Sequence, residues 1–342
     1  MNNKKRRMLA EWEPQSMVQL TWPHKDTDWG PMLDEITAVY EEMAREITKR
    51  EGLLVVAPEN LLPHLRHLTS YILPLTSNDT WARDHGFITV KEPSDIRHQT
   101  SDIVLLDFCF NGWGEKFEAD LDNAINRHLY ERGMVKGTYE NHLDFVLEGG
   151  SIESDGKGTV FTTECCLMAP HRNQPLTKQE IEDRLKRWLG AERIVWLQHG
   201  LLIGDDTDGH IDTLVRICPN DTILYTGGDE DHPDLVEMEK ELQGLRTLDG
   251  KPYRLLKLPL PHPIFERGER REERGERLPA TYANYLVVNG AVLVPTYAQP
   301  DLDAEALRII GEAFTDREIV GIDCRAVIRQ HGSLHCCTMQ YY

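Results

Sequence analysis

A chain of 342 residues suffices for one large α/β domain or two ordinary ones. Hydrophobic residues make up 40% and charged residues 28%, which excludes a largely disordered polymer, and no apolar run nears the roughly 20 residues that span a bilayer. A net charge of −19 argues against nucleic-acid binding and favours a cationic partner by long-range attraction.

The N-terminus, MNNKKRRMLAEWEP, is basic but lacks the apolar stretch of a secretory signal, and KKRR reads as a solvated tail. Cys109, Cys165, Cys166, Cys218, Cys324, Cys336 and Cys337 form no CxxC pair, and their number is odd. This suits reduced thiols in a cytoplasm.

Next come a strand at MVQLTW (17–22), a helix from Pro31 to Arg50 and a strand at LLVVA (53–57). The order recurs. HGFITV (85–90) and DIVLLDF (102–108) precede a helix over 120–132. SIESDGKGTVFTT turns at Asp155-Gly156 and leads to a helix over 177–190 and a strand at 193–198. IDTLVRICPNDTILYT turns at Pro219-Asn220, before a helix at 231–245 and a strand at 253–260. NYLVVNGAVLVP carries the hairpin signal Asn289-Gly290, before a helix at 301–314 and a strand at 317–322. A last strand at 333–340 has MVQLTW as its natural partner, closing a ring. Five β–α–β units at spacings of tens of residues indicate a repeated architecture, without a linker to divide residues 1–342.

Polar segments punctuate the starts of the leading strands: WARDHG (81–86), LEGGS (147–151), DDTDGHID (205–212) and HGSLHCC (331–337). A ring brings equivalent strand starts together at one end, so Asp84, Glu148, Asp206, His210, Asp212 and Cys336 are expected in one pocket. Carboxylates can take the planar N–H fork of a guanidinium in paired, charge-assisted bonds. A thiolate is a strong nucleophile, and a nearby cation lowers its pKa. A histidine could protonate a departing nitrogen and then deprotonate water, with Glu148 orienting the imidazole. The set suits hydrolysis of a guanidinium C–N bond with release of ammonia.

These residues sit in motifs that resemble the agmatine deiminases, which group with bacterial peptidylarginine deiminase among guanidino-group-modifying enzymes. The resemblance runs from AEWEPQS and TWPH through NDTWARDHG, FNGWG, LEGGS, LTKQEIED, DTDGHID and GERLPATYANY to VNGAVLVP and LHC. It implies the α/β pentein fold, a five-bladed pseudo-fivefold propeller of ββαβ-type units in one catalytic domain. It also implies Cys336 as nucleophile, His210 as general acid/base, Asp84 and Asp212 as guanidinium ligands, and acidic site positions at Glu148 and Asp206. The implied reaction converts agmatine and water to N-carbamoylputrescine and ammonia through a thiouronium on the cysteine, in putrescine and polyamine metabolism, with no cofactor and no metal. Two segments depart from the family pattern: EKFEADLDN (115–123) lacks a Pro-Trp pair, and His331-Gly332-Ser333 stands where a Gly-Gly-Asn-like run is usual. Free arginine and peptidylarginine therefore stay as alternative substrates. The sequence leaves a homodimer open.

Plainer readings stand beside these. Trp81 and Trp113 could line the pocket against a cation or simply be core. His210 and Asp212, two apart on a strand, would share a face. Asp84 could pair with Arg83, although strand alternation separates them, and Glu148 could brace the Gly149-Gly150 turn. Cys337 reads as packing, and His335 as facing away with no catalytic role. The run ERGERREERGER (266–277) reads as a solvated loop, with a lid as the alternative. A metal hydrolase built on His210, Asp212, His335 and Cys336 lacks any zinc spacing. A catalytically silent binding protein is the remaining alternative.

Overall fold

The computed structural model describes residues 6–93, 102–267 and 274–342. The repeat is present throughout. Four sheets begin with an antiparallel pair: Ile88–Lys91 with Ile103–Cys109, Ile152–Ser154 with Thr159–Thr163, Val215–Cys218 with Thr222–Thr226, and Leu286–Val288 with Ala291–Thr296. A helix follows each pair, over Asp120–Glu131, Lys178–Leu189, Pro233–Gly244 and Pro300–Ala313. A parallel strand then completes each sheet, at Thr138–Val146, Arg193–Leu197, Arg254–Leu258 and Glu318–Asp323. The fifth sheet joins the two ends of the chain. Thr338–Tyr341 runs antiparallel to Met17–Thr21, which pairs in parallel with Gly52–Ala57 after the helix Leu33–Thr48. This is the pentein arrangement that the resemblance implied.

Local chemistry explains the element ends. Thr177 and Glu180 form a reciprocal capping box at the start of Lys178–Leu189, and Gly190 ends that helix in the left-handed conformation. Proline occupies the first turn of the helices at 233 and 300, where its missing N–H costs nothing. The turn after Cys218 passes through Asn220 and Asp221 at φ 59° and 53°, a region these two side chains tolerate.

The core is continuous around the ring. Val18, Leu20 and Tyr40 of the closing sheet pack with Val292, Leu293 and Ile310 of the preceding one, and Leu54 and Val56 pack with Leu105 and Ile125 of the next. Further clusters join the sheet of Ile88–Lys91 to that of Ile152–Ser154, and the latter to that of Val215–Cys218, while Cys218 and Leu224 pack on into the cluster of Leu286 and Val292. No helix among the described residues is long and apolar enough to cross a membrane.

Several expectations need correcting. KKRR is not wholly a solvated tail: Arg7–Met8 pairs with Val90 and Lys91, Arg6 pairs with Glu92 and Glu140, and Arg7 with Glu13. Carboxylates waiting on neighbouring elements dock this segment. A strand at Tyr71–Pro74, not anticipated, extends the closing sheet. The final strand begins at Thr338, so Cys336 and Cys337 lie in the turn before it. His210 and Asp212 likewise belong to a single turn of 3-10 helix around Ile211–Thr213. The run at 266–277 contributes to an antiparallel hairpin of Phe265–Arg267 with Arg274–Arg277, and its middle lies outside the described residues.

Candidate active site

A cavity of about 430 Å³ opens at one end of the ring, and Trp81, Asp84, Trp113, Asp206 and Cys336 all line it. Glu148, His210 and Asp212 are each 0% exposed and lie off its wall. The eight sequence-predicted residues thus divide between the cavity surface and the layer supporting it.

Short helical turns, not strands, present the key groups. Asp84 sits on the turn Ala82–His85, Gly150 on Gly149–Ser151, and Asp212 on Ile211–Thr213. They close on Gly150, which donates its N–H to Asp84 Oδ1 at 3.0 Å. A side-chain carbon on Gly150 would fall 2.6 Å from His210 Nδ1, 3.0 Å from Asp84 Oδ1 and 3.1 Å from Asp212 Oδ2. His210 Nδ1 is 3.7 Å from Asp84 Oδ1, and Asp212 Oδ2 is 4.0 Å from Cys336 Sγ. The sulfur also lies 3.4 Å from Asn284 Oδ1, which accepts from the backbone N–H of His335 and of Cys336 at 2.9 and 3.3 Å.

The tryptophans combine a face and a donor. Trp113 Nε1 donates to Asp84 Oδ2 at 2.9 Å, and Trp81 Nε1 donates to Asp79 Oδ2 at 3.1 Å. Their rings stand edge to face with centroids 6.5 Å apart. Trp113 has φ 57° and ψ 48°, a strained conformation for a bulky residue, and such strain concentrates at functional sites. Gly332 permits the approach of Trp81, because a carbon there would fall 2.1 Å from the indole.

Charge is concentrated and buried. Burial pushes the Cys336 thiol well above its usual range, and Asp212 and Asp84 push it further. Burial alone would lower His210, but Asp84, Cys166 and Glu148 outweigh it and hold the imidazole well above its usual value. Burial raises Asp84 against the opposing pull of His210, with Asp212 and Glu148 adding to the rise. Asp212 goes the other way: burial opposes, but His335, His210 and Arg216 keep it below the ordinary carboxylate range. Burial also raises Asp206. Among the described residues, neither ring nitrogen of His210 nor Asp212 Oδ1 has a hydrogen-bond partner. Bare polar atoms at this depth are costly unless a ligand meets them.

The plainer readings fare unevenly. Arg83 turns to Gln340 and Met339, away from Asp84. Glu148 does not cap its glycine turn; Arg172 Nε donates to its two oxygens at 3.1 and 3.2 Å, a fully buried pair. Cys337 packs in the core, its sulfur 3.4 Å from Ser333 O. The quartet proposed for a metal hydrolase does not assemble. Among the described residues the close group of ligand-type atoms is Glu148, Cys166 and His210, within 4.8 Å of one another. There the Arg172 guanidinium already supplies the cation.

Arg172, Cys166 and Asn284, not expected here from the sequence, also border these groups, and His335 is turned away from the cavity as expected but bonds Asp212. Asn284 lies in the TYANY motif, and Arg172 follows a proline in a polar run, so both carried a faint local signal. His335 reaches Asp212 Oδ2 at 2.7 Å through Nδ1, which nothing local foretells.

Known proteins share this architecture. The sequence profile of the Porphyromonas-type peptidyl-arginine deiminase family matches residues 7–341. A solved structure named "Putative Arginine Deiminase from Porphyromonas gingivalis" is 49% identical, with a TM-score of 0.88 and 98% of each chain covered. A C. jejuni agmatine deiminase, solved as a cysteine-to-serine variant with substrate bound, is 34% identical with a TM-score of 0.88, covering 100% of this chain and 98% of that one. Agmatine deiminase of Pseudomonas aeruginosa (strain LESB58) is 32% identical over 98% of this chain and 95% of its own length.

Proposed function

The chain belongs to the Porphyromonas-type peptidyl-arginine deiminase family, and from that premise we propose that it hydrolyses agmatine to N-carbamoylputrescine and ammonia. One observation carries the choice of substrate. The cavity wall holds Asp26, Asp28, Asp79, Asp84, Glu118, Asp122 and Asp206 and, among the described residues, no lysine or arginine. Agmatine is cationic at both ends, whereas arginine brings a carboxylate for which the described wall offers no lysine or arginine, only His24 and His331. Coulomb attraction in a recessed, partly desolvated cavity favours the dication.

In this reading the guanidinium lies between Asp84 and Asp212, with the indoles of Trp81 and Trp113 against it and the tail toward the outer carboxylates. Its charge offsets the two aspartates that hold the Cys336 proton in place, and the thiol releases that proton to water in the open cavity as the cation binds. The sulfur attacks the guanidinium carbon. His210, already protonated, gives its proton to the leaving nitrogen, and ammonia departs from the tetrahedral adduct. A cationic thiouronium is left on Cys336. The now neutral His210 takes a proton from water and the oxygen adds to the carbon; on collapse the hydroxyl proton passes to the departing sulfur, which leaves a ureido product and restores the Cys336 thiol and the protonated His210. Glu148, steadied by Arg172, supports the imidazolium, and Asp206 contributes to the acidic wall.

All of these groups come from one chain, which supports treating residues 1–342 as a single catalytic domain whether or not two chains form a homodimer. Cytoplasmic residence fits the unpaired thiols and a small cationic metabolite as substrate, with neither nucleic acid nor membrane as partner.

Free arginine is the second reading, favoured by the name arginine deiminase that the 49% identical P. gingivalis structure carries. Ammonia release assayed on agmatine, arginine and a peptidylarginine separates the readings. Agmatine is expected to give the highest kcat/KM, and equal or faster turnover of arginine would overturn the choice. Mass spectrometry after quenching with the preferred substrate is expected to find the adduct on Cys336.

A further inference from the structure

The carboxylate of Asp212 is held from behind by the residue next to the nucleophile. His335 is 2% exposed and does not line the cavity onto which Cys336 opens. Its Nδ1 lies 2.7 Å from Asp212 Oδ2, the oxygen that is 4.0 Å from Cys336 Sγ. Its backbone N–H donates to Asn284 Oδ1, as does that of Cys336. One residue therefore connects the main chain of the nucleophile to the orientation of a carboxylate 123 positions away.

The far side of the imidazole is anchored as well. His335 Nε2 lies 3.0 Å from Glu11 Oε2 and 3.2 Å from a terminal nitrogen of Arg216. Arg216 is itself fixed by Glu11, Glu153 and the carbonyls of Ala283 and Tyr285. A ring held on both edges cannot swing, so Asp212 Oδ2 is fixed, while the buried Oδ1 has no hydrogen-bond partner among the described residues.

We propose that His335 is a positioning residue for the deimination: by bonding Asp212 Oδ2 it fixes the plane of the carboxylate that a substrate N–H would meet and keeps that carboxylate in register with Cys336. The inference rests on the deiminase reading above. Carboxylate pairs bind a planar fork only when their plane is set, and a displacement near 1 Å can cost about 10²-fold in rate.

Two near-isosteres test it. His335→Asn keeps an N–H donor close to the Nδ1 position, facing Asp212. His335→Gln keeps one close to Nε2, facing Glu11. His335→Asn is expected to stay within about tenfold of wild-type kcat/KM, and His335→Gln to lose about 10²-fold, with KM rising. The groups facing Asp212 are His335, Cys336, His210, Asp84 and Arg216. Removing the His335 bond is expected to move the acid limb of kcat/KM to higher pH, further in His335→Gln than in His335→Asn, which keeps the bond. Equal losses in both variants, following their melting temperatures with no shift of the acid limb, would assign His335 a merely structural role and overturn the proposal. Calorimetry with guanidinium chloride gives a reading independent of turnover: weaker binding in His335→Gln than in His335→Asn supports the proposal, and equal binding overturns it. Wild-type turnover with an unimpaired His335→Gln sinks this inference alone. A wild type that neither turns over agmatine nor binds guanidinium sinks the deiminase reading with it.

Discussion

Gly150 offers a direct test of whether the buried groups act as one site. Its φ is not in the left-handed region, so Gly150→Ala adds a methyl carbon without backbone strain. That carbon would sit 2.6 Å from His210 Nδ1, where real contacts do not go below 3.0 Å, and it would crowd Asp84 Oδ1 and Asp212 Oδ2 at 3.0 and 3.1 Å. The imidazole must retreat by roughly half an ångström or more, and both carboxylates must tilt. Overpacking of this kind costs about 1–3 kcal/mol of stability. Misplacing reacting groups on this scale costs up to about 10²-fold in kcat/KM. Steady-state ammonia release, paired with a thermal melt, measures both. The expected variant is folded at the assay temperature, melts a few degrees lower and is about 10²-fold slower. Wild-type kcat/KM in Gly150→Ala would refute the convergence of His210, Asp84 and Asp212 on the reacting centre.

Cys336→Ser should abolish turnover while agmatine still binds by calorimetry; retained turnover would remove the sulfur from the reaction. Because burial, Asp212 and Asp84 raise the Cys336 thiol, alkylation by iodoacetamide should be slow at neutral pH and climb about tenfold per pH unit above it. A rate already at its plateau at pH 7 would contradict that. Arg172→Met strands the Glu148 carboxylate in the interior and should cost about 3–5 kcal/mol in denaturant unfolding, whereas an unchanged midpoint would mean the pair is dispensable. Burial raises Asp79 to about 6, with Trp81 and Thr80 N–H groups opposing. Asp79 therefore loses its negative charge as pH falls through that value, and KM for agmatine should rise below about pH 6 in the wild type but stay flat in Asp79→Asn.

The repeat was legible because each leading strand is a short apolar run bounded by turn residues, as at Asn289-Gly290, and each helix carries its own periodicity. The acidic and thiol groups were legible because they interrupt those runs at equivalent places. What the sequence hid is how the interruptions fold. His210 and Asp212 were expected to share a strand face, yet they lie on a 3-10 turn and both come close to Gly150. No local pattern in the sequence marks these short turns. The hold of Arg172 on Glu148 spans 24 positions, and that of His335 on Asp212 spans 123. Pairings at such distances are set by the ring as a whole. The departures at 115–123 and 331–333 prove informative, since Phe117, Glu118, Leu121, Asp122, His331 and Gly332 all reach the cavity wall.

The strand Thr338–Tyr341 works as a clasp. It hydrogen-bonds to Met17–Thr21, while the Cys336 carbonyl just ahead of it accepts from Arg83 N at 3.1 Å. Were that strand to peel away locally, the nucleophile would leave with it, and Asp84, Glu148, His210 and Asp212 would stay behind on intact blades. Inactivation by mild heat or denaturant would then precede loss of bulk secondary structure, and the sulfur would become open to alkylating reagents at the same moment. The thiol itself can thus serve as a gauge of how often the circle opens.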